Sequence, residues 1–214
     1  RRLRLRSMAS EESSGAGSGG SAPLGVTNPP SRGFIVAGGR SSRMGRDKAL
    51  LPYREATLLT HAIGVLREVT PDVAILSGPE RRYDDLGVPV VTDAVCGVGP
   101  LGGLYSALLS ASIDQREQIL WLGVDLPLVP PSLLEQLLRE LDQADVAMAR
   151  TTHGIEPLCA AFATSPTLEA VRRALLDGRL KLTAAFASLT VHTIDGDDAH
   201  FVNVNSPEEY DRVR

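Results

Sequence analysis

The chain is poor in cysteine, in net charge and in long apolar runs. It holds two cysteines, Cys96 and Cys159, far apart among 214 residues. They form neither a paired-thiol redox motif nor a metal-ligand cluster, and free thiols of this kind fit a reducing, cytoplasmic compartment. The four histidines (His61, His153, His192 and His200) are equally dispersed, so they are read as packing or surface residues. An excess of positive charge is also missing, since the formal net charge is -4. That balance excludes a broad nucleic-acid footprint, which needs a basic face. It leaves room for a local basic pocket around a small phosphorylated ligand. No apolar run approaches the ~18 residues that a bilayer-spanning helix needs, so no membrane anchor is expected.

What is present is an ordinary globular composition, 43% hydrophobic and 22% charged, enough for one domain with a real core. Residues 1–32 stand apart. Arg1, Arg2, Arg4 and Arg6 precede Met8, and a Ser/Gly-rich stretch containing Glu11 and Glu12 then runs to Pro29-Pro30. Such a segment buries too little apolar surface to order itself. It lacks the apolar centre of a secretory signal, and its two glutamates argue against an organelle transit peptide. It is read as a disordered N-terminal extension, with residues 33–214 as the domain.

From residue 33 onward, strand-like and helix-like segments alternate. Residues 33–38 (GFIVAG), 72–76, 88–92 (VPVVT), 118–124 (QILWLGV), 146–149, 158–162 and 191–194 read as short buried strands. Between them, apolar residues recur at helical spacing from Leu58 to Val69 and from Leu133 to Leu141, and residues 101–111 read as a further helix. Ser132 with Glu135 makes a capping-box pattern before the leucine stripe. Ser165-Pro166 and Gly178 bracket another helix, and Ser206-Pro207-Glu208-Glu209 caps a last one. This alternation predicts a three-layer α/β/α, Rossmann-like domain with a mostly parallel sheet. In such sheets ligands sit outside the carboxyl ends of the strands.

The strongest local signal lies at one such end. Ala37-Gly38-Gly39-Arg40-Ser41-Ser42-Arg43-Met44-Gly45-Arg46-Asp47-Lys48 follows the first strand directly. Gly38 and Gly39 let a ligand approach the main chain, whose free N–H groups are able to cradle phosphate oxygens. Arg43 and Lys48 add positive charge. The loop is not a Walker A, because Ala49 follows Lys48 and the glycine spacing is wrong; nor is it G-x-G-x-x-G. Asp47 is open to two readings: it orients Arg43 or Lys48, or it caps the next segment. Asp93 and Asp125 also follow predicted strands and point to the same crevice. Asp125, in Gly123-Val124-Asp125-Leu126-Pro127, suits Mg²⁺, which takes one or two carboxylates together with phosphates and water. A helix starting near Leu101 aims its N-terminus into the crevice, which favours anions. Arg81-Arg82 and Arg172-Arg173 read as solvated faces. Arg179 and Lys181 are weaker candidates for a substrate phosphate.

The pattern A-G-G-x-x-x-R-M-G-x-D-K-x-L-L over residues 37–51 resembles the signature of molybdenum cofactor guanylyltransferases, within the wider nucleotidyltransferase superfamily. Gly123–Pro127 resembles that family's G/C-x-D-x-P segment. Asp93 before Gly99-Pro100-Leu101-Gly102-Gly103 resembles its nucleotide-contacting aspartate and G-P-L-x-G turn. Glu156-Pro157-Leu158-Cys159-Ala160 is similar to a segment on the pterin side of the cleft, and Asn203-Val204-Asn205-Ser206-Pro207-Glu208 to the family's N-x-N-T-P-E motif. The resemblance implies that Val36, Ala37, Gly38 and Gly39 lie against the nucleotide. It assigns the triphosphate to Lys48 and Arg43, further nucleotide contacts to Asp93, Mg²⁺ to Asp125, and the pterin to Asn203 and Asn205. The implied activity is transfer of GMP from GTP to molybdenum-bound molybdopterin, with transient contact to proteins that deliver or accept the cofactor. The family usually carries an asparagine after the second strand. Here the segment is Leu76-Ser77-Gly78-Pro79, so backbone groups of Ser77 or Gly78 are the expected substitutes. The rival readings are cytidylyl transfer to the same pterin, nucleotidyl transfer to a sugar phosphate or isoprenoid precursor, and a non-catalytic nucleotide-binding module.

Overall fold

A computed structural model describes residues 31–38 and 47–214. The chain opens with β1 (Ser31–Val36), then passes a 3-10 turn (Lys48–Leu50) and a small ribbon of β2 (Pro52–Tyr53) and β3 (Ala56–Thr57) before α1 (Leu58–Val69). β4 (Val73–Leu76), β5 (Val90–Val91), α2 (Pro100–Ile113), β6 (Gln118–Gly123) and α3 (Pro131–Glu140) follow. Next come β7 (Val146–Thr151), β8 (Gly154–Ala163), α4 (Thr164–Leu176), α5 (Leu182–Ala185), β9 (Val191–Asp195) and α6 (Pro207–Val213).

Seven strands form one sheet in the order β5-β4-β1-β6-β8-β7-β9. Within it β8 alone runs against its neighbours. It has to, because it returns from β7 by a tight turn at Thr152-His153, whereas parallel neighbours need a long crossover. Side chains alternate between the two faces. Ile35, Ile75, Leu120 and Leu122 enter the core shared with α1, α3 and α6, while Phe34, Leu76, Trp121 and Phe162 enter the one shared with α2 and α4. Both faces are covered, which is why the central strands read as continuous apolar runs. The three-layer, mostly parallel architecture expected from the sequence is the one observed.

The chain runs from β1 outward through β4 to β5, then crosses back to β6 on the other side of β1. The strand order therefore reverses between β1 and β6, and a crevice opens at their carboxyl ends. Their last residues, Val36 and Gly123, are register partners. This places Ala37-Gly38 beside Val124-Asp125.

Several local expectations are corrected. β1 begins two residues before the expected domain start, because Ser31 and Arg32 pair with Gln118 and Ile119 of β6. The extension read as residues 1–32 thus loses Ser31 and Arg32 to the fold; residues 1–30 lie outside the described residues. The Ser132–Glu135 capping box does not form. Pro131, preset to helical φ, opens α3 two residues early with Pro130 as its cap, so Ser132 is already inside the helix. The strand expected over 88–92 contracts to Val90–Val91. Ser206 caps α6 as expected, its Oγ accepting the Glu209 N–H at 3.2 Å.

Candidate nucleotide-binding and catalytic site

A cleft of about 1050 Å³ lies at the carboxyl ends of β1, β4 and β6, and Val36, Ala37, Gly38, Lys48, Asp93 and Asp125 all line it. Its floor depends on a close backbone approach between the ends of β1 and β4. A Cβ on Gly38 would stand 2.6 Å from the Gly78 nitrogen, nearer than packed atoms tolerate. Gly78 also has φ +80°, a conformation that favours glycine. The Asp93 N–H donates to the Gly78 carbonyl at 2.8 Å, so the β5 side of the cleft hangs from the same turn.

Three separated motifs meet at one ammonium group. Lys48 Nζ donates to Asp125 Oδ2 at 2.7 Å and to Asn205 Oδ1 at 3.0 Å. Asp125 is only 6% exposed, and a nearly buried carboxylate needs such a partner. Gly123 makes room for it, because a Cβ there would lie 2.5 Å from Asp125 Oδ1. The carboxyl-terminal segment is held in place by Val204, fully buried, whose N–H donates to the Asp125 carbonyl at 3.0 Å. The G-x-D-x-P segment and the N-x-N ending, 77 and 157 residues from Lys48, thereby form one site. Neither asparagine is among the residues that line the cleft: Asn203 is partly buried, and Asn205, exposed, reaches it through Lys48.

Asp47 caps the next segment, the turn that carries Lys48; Arg43, its other expected partner, lies outside the described residues. Asp47 Oδ1 accepts the Ala49 N–H at 3.1 Å, opening the 3-10 turn that begins with Lys48. Its Oδ2 accepts from Arg82 Nη1 at 2.9 Å and from the Tyr83 hydroxyl at 2.7 Å. Arg82 Nη2 donates to the carbonyls of Ala37 (3.2 Å) and Ser77 (3.1 Å). The reading of Arg82 as a solvated surface residue is therefore wrong: it lines the cleft and is pinned there. The sequence carried no local signal for this, because Arg82 meets Asp47 across 35 residues. Its neighbour Arg81 does behave as a surface residue, paired with Asp84 at 2.7 Å. Burial and the Asp47 carboxylate hold the Tyr83 hydroxyl well above the usual phenol range, so it stays a donor.

The remaining expectations divide. Burial pushes the Asp93 carboxyl above its ordinary value, and Gly99, Pro100 and Gly103 of the α2 start line the cleft beside it. Cys96 is exposed and also lines the cleft, whereas Cys159 is buried, and burial together with Glu156 raises its thiol far above the usual range. Pro157-Leu158-Cys159 forms a bulge where β8 leaves its register with β7, and Leu158 reaches the cleft. Backbone substitution for the absent asparagine is largely closed to Ser77: its N–H donates to Val91, and its carbonyl accepts from Arg82. Arg179 pairs with Asp177 at 2.8 Å and the Ala184 carbonyl, away from the cleft lining. Gly39 and Arg43 lie outside the described residues.

Among the described lining residues, Asp47, Glu80, Asp93 and Asp125 outnumber Lys48 and Arg82. A bare polyanion would be repelled by that set, whereas a polyanion accompanied by a divalent cation would not. The donors fit such a cation in one mode. No group of three or more possible ligands exists among the described residues, so there is no all-protein cage. Asp125 supplies one hard, nearly buried carboxylate, as suits Mg²⁺ completed by phosphate oxygens and water.

Comparison with known proteins agrees with this geometry. The family model described as the MobA-like NTP transferase domain matches residues 33–191. A molybdenum cofactor guanylyltransferase of Xanthomonas euvesicatoria is 32% identical, covering 86% of this chain and 94% of its own. A probable molybdenum cofactor guanylyltransferase of Pelotomaculum thermopropionicum is 30% identical, with 85% and 91% covered. The crystal structure of molybdopterin-guanine dinucleotide biosynthesis protein A from Archaeoglobus fulgidus superposes with a TM-score of 0.70 at 23% identity, over 85% of this chain and 96% of that one. A 2-C-methyl-D-erythritol 4-phosphate cytidylyltransferase from Thermus thermophilus shares the fold at TM-score 0.63 and 18% identity, with 84% and 95% covered. With Gly38, Lys48 and the strand-end aspartates lining one crevice and Asn205 bonded to Lys48, the chain belongs to the MobA-like NTP transferase family.

Proposed function

We propose that the protein transfers GMP from GTP to the terminal phosphate of molybdenum-bound molybdopterin, releasing pyrophosphate. The observation that carries this reading is the meeting of Asp125 and Asn205 on the Lys48 ammonium at the edge of the cleft. The names of the relatives support guanine as the base. An oxygen of the pterin's terminal phosphate attacks the α-phosphorus, and the bond from that phosphorus to the bridging oxygen breaks as pyrophosphate leaves. The attacking group is already an anion, so no strong base is required. The protein's task is positioning and charge neutralisation. Lys48 holds the triphosphate, Asp93 borders the nucleotide, Asn205 orients Lys48 and faces the pterin side, and Asp125 holds Mg²⁺. When bound, Mg²⁺ screens the triphosphate charge. The proposed compartment is the cytoplasm, a reading supported by the free thiols of Cys96 and Cys159.

The test is pyrophosphate release from purified protein with Mg²⁺ and molybdenum-loaded pterin, comparing GTP, CTP, ATP and UTP. Turnover is expected with GTP, and a preference for CTP would replace the guanine assignment. Asp125→Asn keeps the shape of the side chain but removes its charge. Its turnover is expected to fall about 10²–10³-fold, the scale of losing one preorganised electrostatic contact. Near-normal turnover would remove Asp125 from the metal site.

A further inference from the structure

We infer that Arg82, assisted by Tyr83, is a positioning residue for the transfer: its guanidinium fixes Asp47 and thereby sets where Lys48 meets the triphosphate. This rests on the reading of Lys48 as the triphosphate contact. The geometry is specific. One arm of the guanidinium reaches Asp47 Oδ2 at 2.9 Å, and the other bridges the carbonyls of Ala37 and Ser77 at 3.2 and 3.1 Å. Three chain segments that border the cleft are thus joined by one planar group: the end of β1, the end of β4 and the turn that carries Lys48. Only arginine presents donors in a rigid fork able to do this. Asp47 is used on both oxygens, with Oδ2 anchored to Arg82 and Tyr83 and Oδ1 capping the Ala49 N–H. A shift of Asp47 therefore shifts the first residue of that turn, which is Lys48 itself.

Two further observations show that the fold accepts strain to keep this arrangement. Among the described residues Arg82 Nε is buried without a hydrogen-bond partner, an exception that native interiors rarely tolerate. Tyr83 adopts φ +71°, although it is not glycine. Strain of this kind persists where the surroundings over-determine it, and it gathers at functional sites. Here it places the hydroxyl on Asp47 and the Tyr83 ring 5.0 Å from the guanidinium carbon. Neither residue is required to touch the ligand; they support the residue that does.

The experiment is a double-mutant cycle on GTP affinity in the presence of Mg²⁺, read by calorimetry, with melting curves for every variant. Arg82→Lys keeps the charge and loses the fork. It is expected to weaken GTP binding about tenfold, as does the loss of charge-assisted hydrogen bonds elsewhere. Tyr83→Phe keeps the ring and removes one donor to Asp47, and about threefold is expected. Lys48→Ala is the reference, and adding either substitution to it should weaken binding no further, because both act through Lys48. Additive losses, or wild-type affinity in Arg82→Lys, would overturn the proposal. If Arg82→Lys does not fold, the Tyr83→Phe cycle decides in the same way. If Lys48→Ala binds GTP like the wild type, the failure lies in the underlying reading of Lys48.

Discussion

Asp93 and Asp125 both follow short apolar strands, yet their surroundings place opposite demands on them. Asp125 is the more buried, but Lys48 stands 2.7 Å away. Asp93 is partly buried, and burial raises its pKa. A carboxyl group whose folded pKa exceeds its unfolded value of about 3.9 destabilises the fold wherever it is charged in both states. The penalty is absent below the unfolded pKa and complete above the folded one. Asp93→Asn is therefore expected to raise the melting temperature at neutral pH. The gain should vanish as the pH falls through the ordinary carboxylate range, while GTP binding weakens. Melting curves at a series of pH values check the sign, and a variant less stable than the wild type at neutral pH would contradict it.

The contrast at the scale of elements is between two helix starts that look alike in sequence. Ser132-x-x-Glu135 and Ser206-x-x-Glu209 both carry the capping-box spacing, but only the second forms a cap. In α3 the Pro130-Pro131 pair sets the start two residues earlier, and Glu135 instead lies 3.7 Å from Arg139 across one turn. In α6, Ser206 keeps extended φ and ψ of -135° and 161° as its hydroxyl caps Glu209, while the Glu209 carboxylate accepts the Asn205 N–H at 2.8 Å. Ser206→Ala is expected to cost about 1 kcal/mol of stability, the usual loss for an N-cap. Urea unfolding measures it, and a loss well under half of that would show that α6 is held by Tyr210 and its packing alone.

Across the whole molecule, the cleft is balanced by an ionic cluster at the opposite ends of the strands. Asp72 Oδ2 accepts from Arg32 Nε at 2.9 Å and from Arg116 Nε at 2.6 Å, and both arginine side chains are 10% exposed or less. This joins the start of β1, the entry to β4 and the segment before β6, the three strands whose far ends carry the site. Breaking a buried ion pair costs about 3–5 kcal/mol, and because Arg32 also keeps Asp114 at 2.5 Å the loss of Asp72 belongs at the lower end of that range. Asp72→Ala is expected to lose stability on that scale in denaturant unfolding, while folded protein at low temperature keeps its KM for GTP. A changed KM would mean that the cluster also shapes the cleft.

The layer order, most elements and the site motifs were legible because they rest on short-range rules. Apolar runs mark covered strands, glycine after a strand marks close approach, and an aspartate at a strand end points into the crevice. The sequence by itself determined which residue types were available for phosphate and metal, and it carried the resemblance that names the family. It also left Asp47 open and misread Arg82, because no local pattern says which distant carboxylate an arginine will meet. Tertiary structure decided that Arg82 and Tyr83 converge on Asp47, that Asn205 rather than Asn203 reaches Lys48, and that Ser31 and Arg32 belong to β1. In each case the deciding interaction spans tens of residues, and only the sheet register and the strand crossovers bring those partners together.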